Sequence, residues 1–167
     1  MHPLTAEEIR ASFVNCTKGE AKRLPLPKAI APSRWEQLDF LGWRDAGAPD
    51  SAYLVVPGDS GPVGLVLRIS SGAGRGGRKN MCAFCLTTHS SSDMALMVAP
   101  RPGAAGRAGN TVGTYLCADL ACSLYARGIR RPDRAQPHET LSPEERVARL
   151  TANVDTFVRR VLTPRPA

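Results

Sequence analysis

Two pairs of cysteines carry the clearest chemistry in this chain: Cys82 and Cys85 in Met-Cys-Ala-Phe-Cys, then Cys117 and Cys122 in Tyr-Leu-Cys-Ala-Asp-Leu-Ala-Cys. A Cys-x-x-Cys pair brings two thiolates onto one cation, and a second pair completes a tetrahedral shell, so the spacing reads as a structural zinc site. Buried free cysteines are common as small hydrophobes, but scattered ones do not fall into two tight pairs. A thioredoxin-like redox centre opens a helix after a strand, whereas a loop, Gly-Gly-Arg-Lys-Asn-Met, precedes Cys82. Disulfides fit poorly, because the first residues show neither a basic n-region nor an apolar h-region and point to a reducing, cytoplasmic setting. The fifth cysteine, Cys16, reads as half-buried and structural. His89 follows Cys85 closely enough to stand in for one cysteine, yet a complete four-cysteine set makes it a surface residue or an outer partner of the ligands.

Other constellations are incomplete. Gly72, Gly74 and Gly77 spell G-x-G-x-x-G, but a dinucleotide site needs a helix directly afterwards, and this loop runs into the cysteine motif. A zinc deaminase needs H-x-E near an open metal position, and His138 and Glu139 are adjacent instead. A nuclease built on such a finger needs a catalytic histidine with metal-binding partners, and His89 stands alone. A closed four-thiolate shell is structural, so the chain reads as a non-enzyme.

The elements that must position these residues follow from pattern. Thr5 to Glu8 and Thr17 to Glu20 are capping boxes opening two short helices, the second stopped by Pro25 and Pro27. Trp35, Leu38, Phe40, Leu41 and Trp43 read as core. Ala52–Val56 and Val63–Ile69 are β-rich runs around Pro-Gly-Asp-Ser-Gly-Pro, which predicts an antiparallel hairpin. Residues 70–79 are glycine-rich and basic, and read as a mobile loop. Met94–Val98 and Thr111–Leu116 make third and fourth strands, joined by a loop over 100–110. Ala118–Tyr125 has helical composition, so the second pair sits where a strand turns into a helix, whose N-terminal dipole favours thiolates. The order knuckle, hairpin, helix describes a treble clef. Finally, Ser142 to Glu145 with Pro143 opens an amphipathic helix whose stripe, Val147, Leu150, Val154, Phe157, Val158 and Val161, packs on the body of the domain.

The fold class is therefore α+β: a mixed or antiparallel sheet with flanking helices, a four-cysteine treble-clef zinc finger over about 80–128, and a C-terminal amphipathic helix. The expected division is a domain over 1–130, a basic linker over 131–140 and the helix over 141–163. At 167 residues the chain is long enough to bury about 70 percent of its unfolded surface, so zinc holds one lobe instead of substituting for a core.

The formal charge is +7; four thiolates and one divalent zinc lower it by two, to +5. Arg75, Arg78 and Lys79 precede the first cysteine pair, and Arg127, Arg130, Arg131 and Arg134 follow the second. Meeting at one metal, they form a positive rim suited to an acidic protein surface or to nucleic acid. No apolar run reaches the roughly 20 residues needed to cross a bilayer.

Several runs together resemble a known family: Ser12-Phe-Val-Asn-Cys-Thr-Lys-Gly-Glu-Ala-Lys-Arg-Leu24, Leu38-Asp-Phe-Leu-Gly-Trp-Arg-Asp45, Met81-Cys-Ala-Phe-Cys-Leu-Thr-Thr-His89 and Asn110-Thr-Val-Gly-Thr-Tyr-Leu-Cys-Ala-Asp-Leu-Ala-Cys-Ser-Leu-Tyr125. They are similar to the treble-clef (FBP) domain of proteins that bind elongation factor G, a family that includes the fusidic-acid resistance proteins. The resemblance covers roughly residues 5 to 130. It implies that Cys82, Cys85, Cys117 and Cys122 bind one structural zinc, and that the protein acts in translation by binding the factor and promoting its release from the ribosome. On that footing Arg75, Arg78, Lys79, Tyr115, Arg127 and Arg130 are the candidate partner surface, and the alternative is direct RNA or DNA binding through the same basic loops. Aromatic residues are only 5% of the chain, so a stacking platform for single strands is poorly furnished.

Overall fold

The computed structural model describes residues 1–27, 32–70 and 80–163. The basic loop with Arg75, Arg78 and Lys79, and the glycine motif at Gly72, Gly74 and Gly77, lie outside the described residues.

A run that is apolar at every position rather than at alternate ones suits a strand covered on both faces. β2 (Ser51–Val56) is such a run from its second residue on, and Ala52 through Val56 are all buried. It pairs antiparallel with β1 (Leu41–Arg44) on one side and β3 (Val63–Ile69) on the other. β6 (Met94–Pro100) and β7 (Thr111–Cys117) complete a five-stranded sheet in the order β1-β2-β3-β6-β7, every pairing antiparallel. The sheet is thus antiparallel rather than mixed. The sequence marks the β1 residues only as core; Leu41 and Trp43 are indeed buried, but four residues interrupted by Gly42 give no strand signal of their own.

Alternation along β2 splits the interior in two. Tyr53 and Val55 join Ile9, Phe13, Trp35, Leu41 and Trp43 on one face, under α1 (Ala6–Ala11), α2 (Lys18–Arg23) and α3 (Pro32–Trp35). Both capping boxes form as the sequence predicts: Thr5 accepts from the Glu8 N–H and Thr17 from the Glu20 N–H, each glutamate reaching back to the cap N–H. Cys16 packs half-buried at the edge of this cluster.

Ala52, Leu54 and Val56 face the other way, into the larger core with Leu65, Leu67, Met97, Leu116 and all four paired cysteines. That core is closed by α6 (Pro143–Leu162), capped by Ser142, with Leu150, Val154, Phe157, Val158 and Val161 buried and Val147 packed beside them. The stripe therefore packs on the body of the domain, as expected.

Two local expectations change. The connection over 100–110 contains a short helix, α4 (Gly103–Arg107), bracketed by Gly103 and Gly109, both at positive φ. The expected helix over Ala118–Tyr125 is only α5 (Cys122–Ala126). Helical composition there is overridden by a turn: the Asp119 carboxylate accepts from the Ala121 N–H at 3.0 Å, and Leu120 adopts φ 55°, outside helical geometry.

Candidate metal centre

The first pair is held by a knuckle. β4 (Asn80–Met81) and β5 (Thr88–His89) pair antiparallel, and between them the Cys82 N–H donates to the Thr87 carbonyl and the Leu86 N–H to the Cys82 carbonyl, both at 2.9 Å. Leu86 turns the chain at φ 59°. A bond from the Ala83 N–H to the Tyr115 carbonyl at 2.9 Å ties this knuckle to β7. The second pair brackets the turn after β7: Cys117 is the last residue of the strand and Cys122 the first of α5.

These elements bring the four sulfurs together, all within 4.8 Å of one another. Cys82 Sγ lies 3.6 Å from Cys122 Sγ, and Cys85 Sγ lies 3.5 Å from Cys117 Sγ. Four thiolates at zinc–sulfur distances of about 2.3 Å form a tetrahedron with edges of about 3.8 Å, so the arrangement is already close to a zinc shell. Cys82, Cys117 and Cys122 are fully buried and Cys85 is 5% exposed. Sulfurs this close share protons unevenly without a cation. Hydrogen bonding from Cys117, and then from Cys122 and Cys82, holds the Cys85 thiol well below its ordinary range. Hydrogen bonding to Cys117, followed by Cys82, Cys85 and burial, pushes Cys122 well above it. One divalent cation removes that conflict by stabilising all four thiolates at once. The cluster holds one structural zinc, which when bound supplies a rigid tetrahedral cross-link between knuckle and helix.

An outer layer, buried at His89 and reaching the surface beyond it, supports the ligands. His89 is 3% exposed, its Nε2 lies 3.2 Å from Cys117 Sγ, and its ring stands edge-on to Tyr125 at 4.8 Å. A thiolate accepts, so the His89 Nε2–H donates to it, and the histidine is an outer partner of the metal instead of a ligand. The Tyr125 hydroxyl donates to Asp119 at 2.9 Å, and Asp119 also pairs with Arg130 at 3.1 Å. The Gln136 amide clamps Thr88 from outside, accepting from its N–H and donating to its carbonyl, each at 2.7 Å. From α6, the Asn153 amide donates to the Phe84 carbonyl at 2.9 Å. Neither contact has a short-range sequence signature, since each partner lies tens of residues away.

The knuckle-hairpin-helix order is matched at the level of the whole chain, because a family model described as the FBP C-terminal treble-clef zinc-finger covers residues 8–161. The chain belongs to that family. The match runs from α1 into α6, so the FBP domain includes the helices on both faces of the sheet as well as the finger. A search of curated proteins finds none that matches this chain.

Within this FBP domain the expected basic rim divides. Arg127 turns inward and forks onto Asp39, Nη1 to Oδ2 at 2.5 Å and Nη2 to Oδ1 at 2.9 Å, with its side chain 22% exposed. That hydrogen bonding raises the pKa of Arg127 further. Its charge is spent on joining α5 to the segment before β1. Arg130 is half-exposed and lies over the Tyr125 ring, 5.6 Å from its centroid. Tyr115 is 41% exposed on β7, at the edge of the sheet.

Proposed function

We propose that this domain is a non-catalytic binding module that docks on elongation factor G or the ribosome and modulates translation, with the zinc lobe as its contact surface. The observation that carries the reading is the closed, buried four-sulfur shell, which uses every tetrahedral position on protein ligands. A metal so enclosed shapes a surface and has no position for a substrate. Tyr115 and Arg130 are the exposed candidates on that surface, and Arg78 and Lys79 are candidates from the sequence alone; Arg127 acts on the fold.

No helix among the described residues is long and apolar enough to cross a membrane. Quantitative binding of zinc-loaded protein to purified elongation factor G and to ribosomes at low salt tests the proposal. Tyr115→Ala and Lys79→Ala are expected to fold and bind weakly, and recovery of neither partner by the unsubstituted protein overturns it. Direct RNA binding is the second reading, favoured by Arg131 and Arg134, which make no ion pair among the described residues.

A further inference from the structure

Beside the zinc knuckle, the segment after α5 and the first turns of α6 enclose a cleft of about 410 Å³. Its floor is Cys85 and Leu86, and Arg130, Arg131, Arg146 and Arg149 line it against one carboxylate, Glu139. The size falls within the range of small-ligand sites, about 300–1,000 Å³. Two of the arginines are engaged: Arg149 Nη2 bonds Glu139 at 2.6 Å, and Arg130 bonds Asp119. Arg131 and Arg146 make no ion pair among the described residues. Neither Glu139 nor Glu144 comes into ion-pair contact with Arg146.

The decisive detail is unpaired charge. Arg131 and Arg146 keep their guanidinium groups out of any ion pair among the described residues, whereas the Nε–H groups of Arg146 and Arg149, like that of Arg10 on α1, are covered by protein and closed to a ligand. Guanidinium groups converging from two segments, with donors to spare, present the fork geometry that matches tetrahedral and planar oxyanions. Arg131, which also lines the cleft, is exposed to solvent and open to an incoming anion.

We propose that this cleft is a phosphate-binding site, with Arg146 and Arg131 as its principal donors, Arg149 held in place by Glu139, and a phosphate group of an RNA backbone or of a small soluble phosphate compound as its ligand. A phosphate is favoured over a lone carboxylate because its oxygens can serve several guanidinium groups together. The site stands independently of whether elongation factor G is the partner. The rival role for these arginines is to balance the double negative charge of a zinc tetrathiolate under the floor, and that role predicts a different response.

The test titrates zinc-loaded full chain with inorganic phosphate, with a decauridylate RNA and with succinate, each at matched ionic strength, following amide chemical shifts and, separately, zinc retention against a chelator. Saturable phosphate binding with shifts centred on Arg131, Leu86 and the start of α6 is expected. Arg146→Gln should weaken it about tenfold, the loss of one charge-assisted donor group, while Arg107→Gln, on the exposed α4, should not change it. Arg131→Gln lies on an exposed segment and gives a second reading if the Arg146 variant folds poorly. A decauridylate that binds more tightly than phosphate, with its salt slope reduced by about one in Arg131→Gln, identifies a polynucleotide as the source; binding of phosphate alone identifies a small compound. Succinate binding as tightly as phosphate, equal weakening by Arg107→Gln, or loss of zinc retention in Arg146→Gln with phosphate binding unchanged each overturns the proposal.

Discussion

His89 shows how one side chain decides the character of the metal centre. Its ring is buried between Tyr125 and Cys117, and its Nε2 lies 3.2 Å from the Cys117 sulfur. Replacing such an outer partner of a metal ligand lowers metal affinity about 10–100-fold. His89→Ala is therefore expected to lose zinc to a chelating dye at 10–100-fold lower competitor concentration, while remaining folded in saturating zinc. Unchanged affinity would show that the contact does not support the ligand. Arg127 makes the complementary point about the rim. Breaking its fork onto Asp39 leaves a half-buried carboxylate without its charge partner, so Arg127→Ala should cost about 1–3 kcal/mol in urea denaturation. Tyr115→Ala, at an exposed edge position, should cost less than about 0.5 kcal/mol. The sequence showed both arginine and tyrosine as surface candidates because charge and spacing say nothing about a partner such as Asp39, which lies far away along the chain.

At the scale of elements, what could be read in advance was whatever carries a local signal. The three capping boxes, the β2–β3 hairpin, strands β6 and β7 and the stripe of α6 all rest on neighbours within a few residues, and all are present. The strand β1 and the turn before α5 were not legible, and the two are linked. Gly42 in β1 faces Leu120 in that turn so closely that an added Cβ would lie 2.8 Å from the Leu120 Cβ. The strand is therefore short and glycine-broken for a reason that exists only in three dimensions, namely the approach of the finger to the sheet. Gly42→Ala should destabilise by about 1–3 kcal/mol, as overpacking does, measured by chemical denaturation; a neutral result would mean the finger can draw back from β1 freely. The metal ligands themselves were fully legible, since the chemistry of two cysteine pairs is independent of what packs around them, whereas the arginine-lined cleft joins two segments with no shared motif.

Over the whole molecule, the four cysteines are not an appendage to the sheet. They share one core with Leu54, Leu65, Met97 and the buried face of α6, and Phe84 of the knuckle stacks edge-on with Phe40 and Phe157 at 5.8 and 5.6 Å. Removing zinc should consequently loosen α6 as well as the finger: hydrogen exchange after chelation is expected to rise across β4, β5, α5 and α6, while α1 and α2, packed on the opposite face, keep their protection. Exchange confined to the finger would mean that α6 is held by the sheet alone.

The finger and the larger core meet at one closed shell of four thiolates, which shapes the surface around it. X-ray absorption at the zinc edge of the loaded protein tests it most directly. Four sulfur scatterers at about 2.3 Å with no nitrogen are predicted. Three sulfurs with one nitrogen at about 2.0 Å would place His89 in the shell and contradict the four-cysteine centre from which the rest of the reading is built.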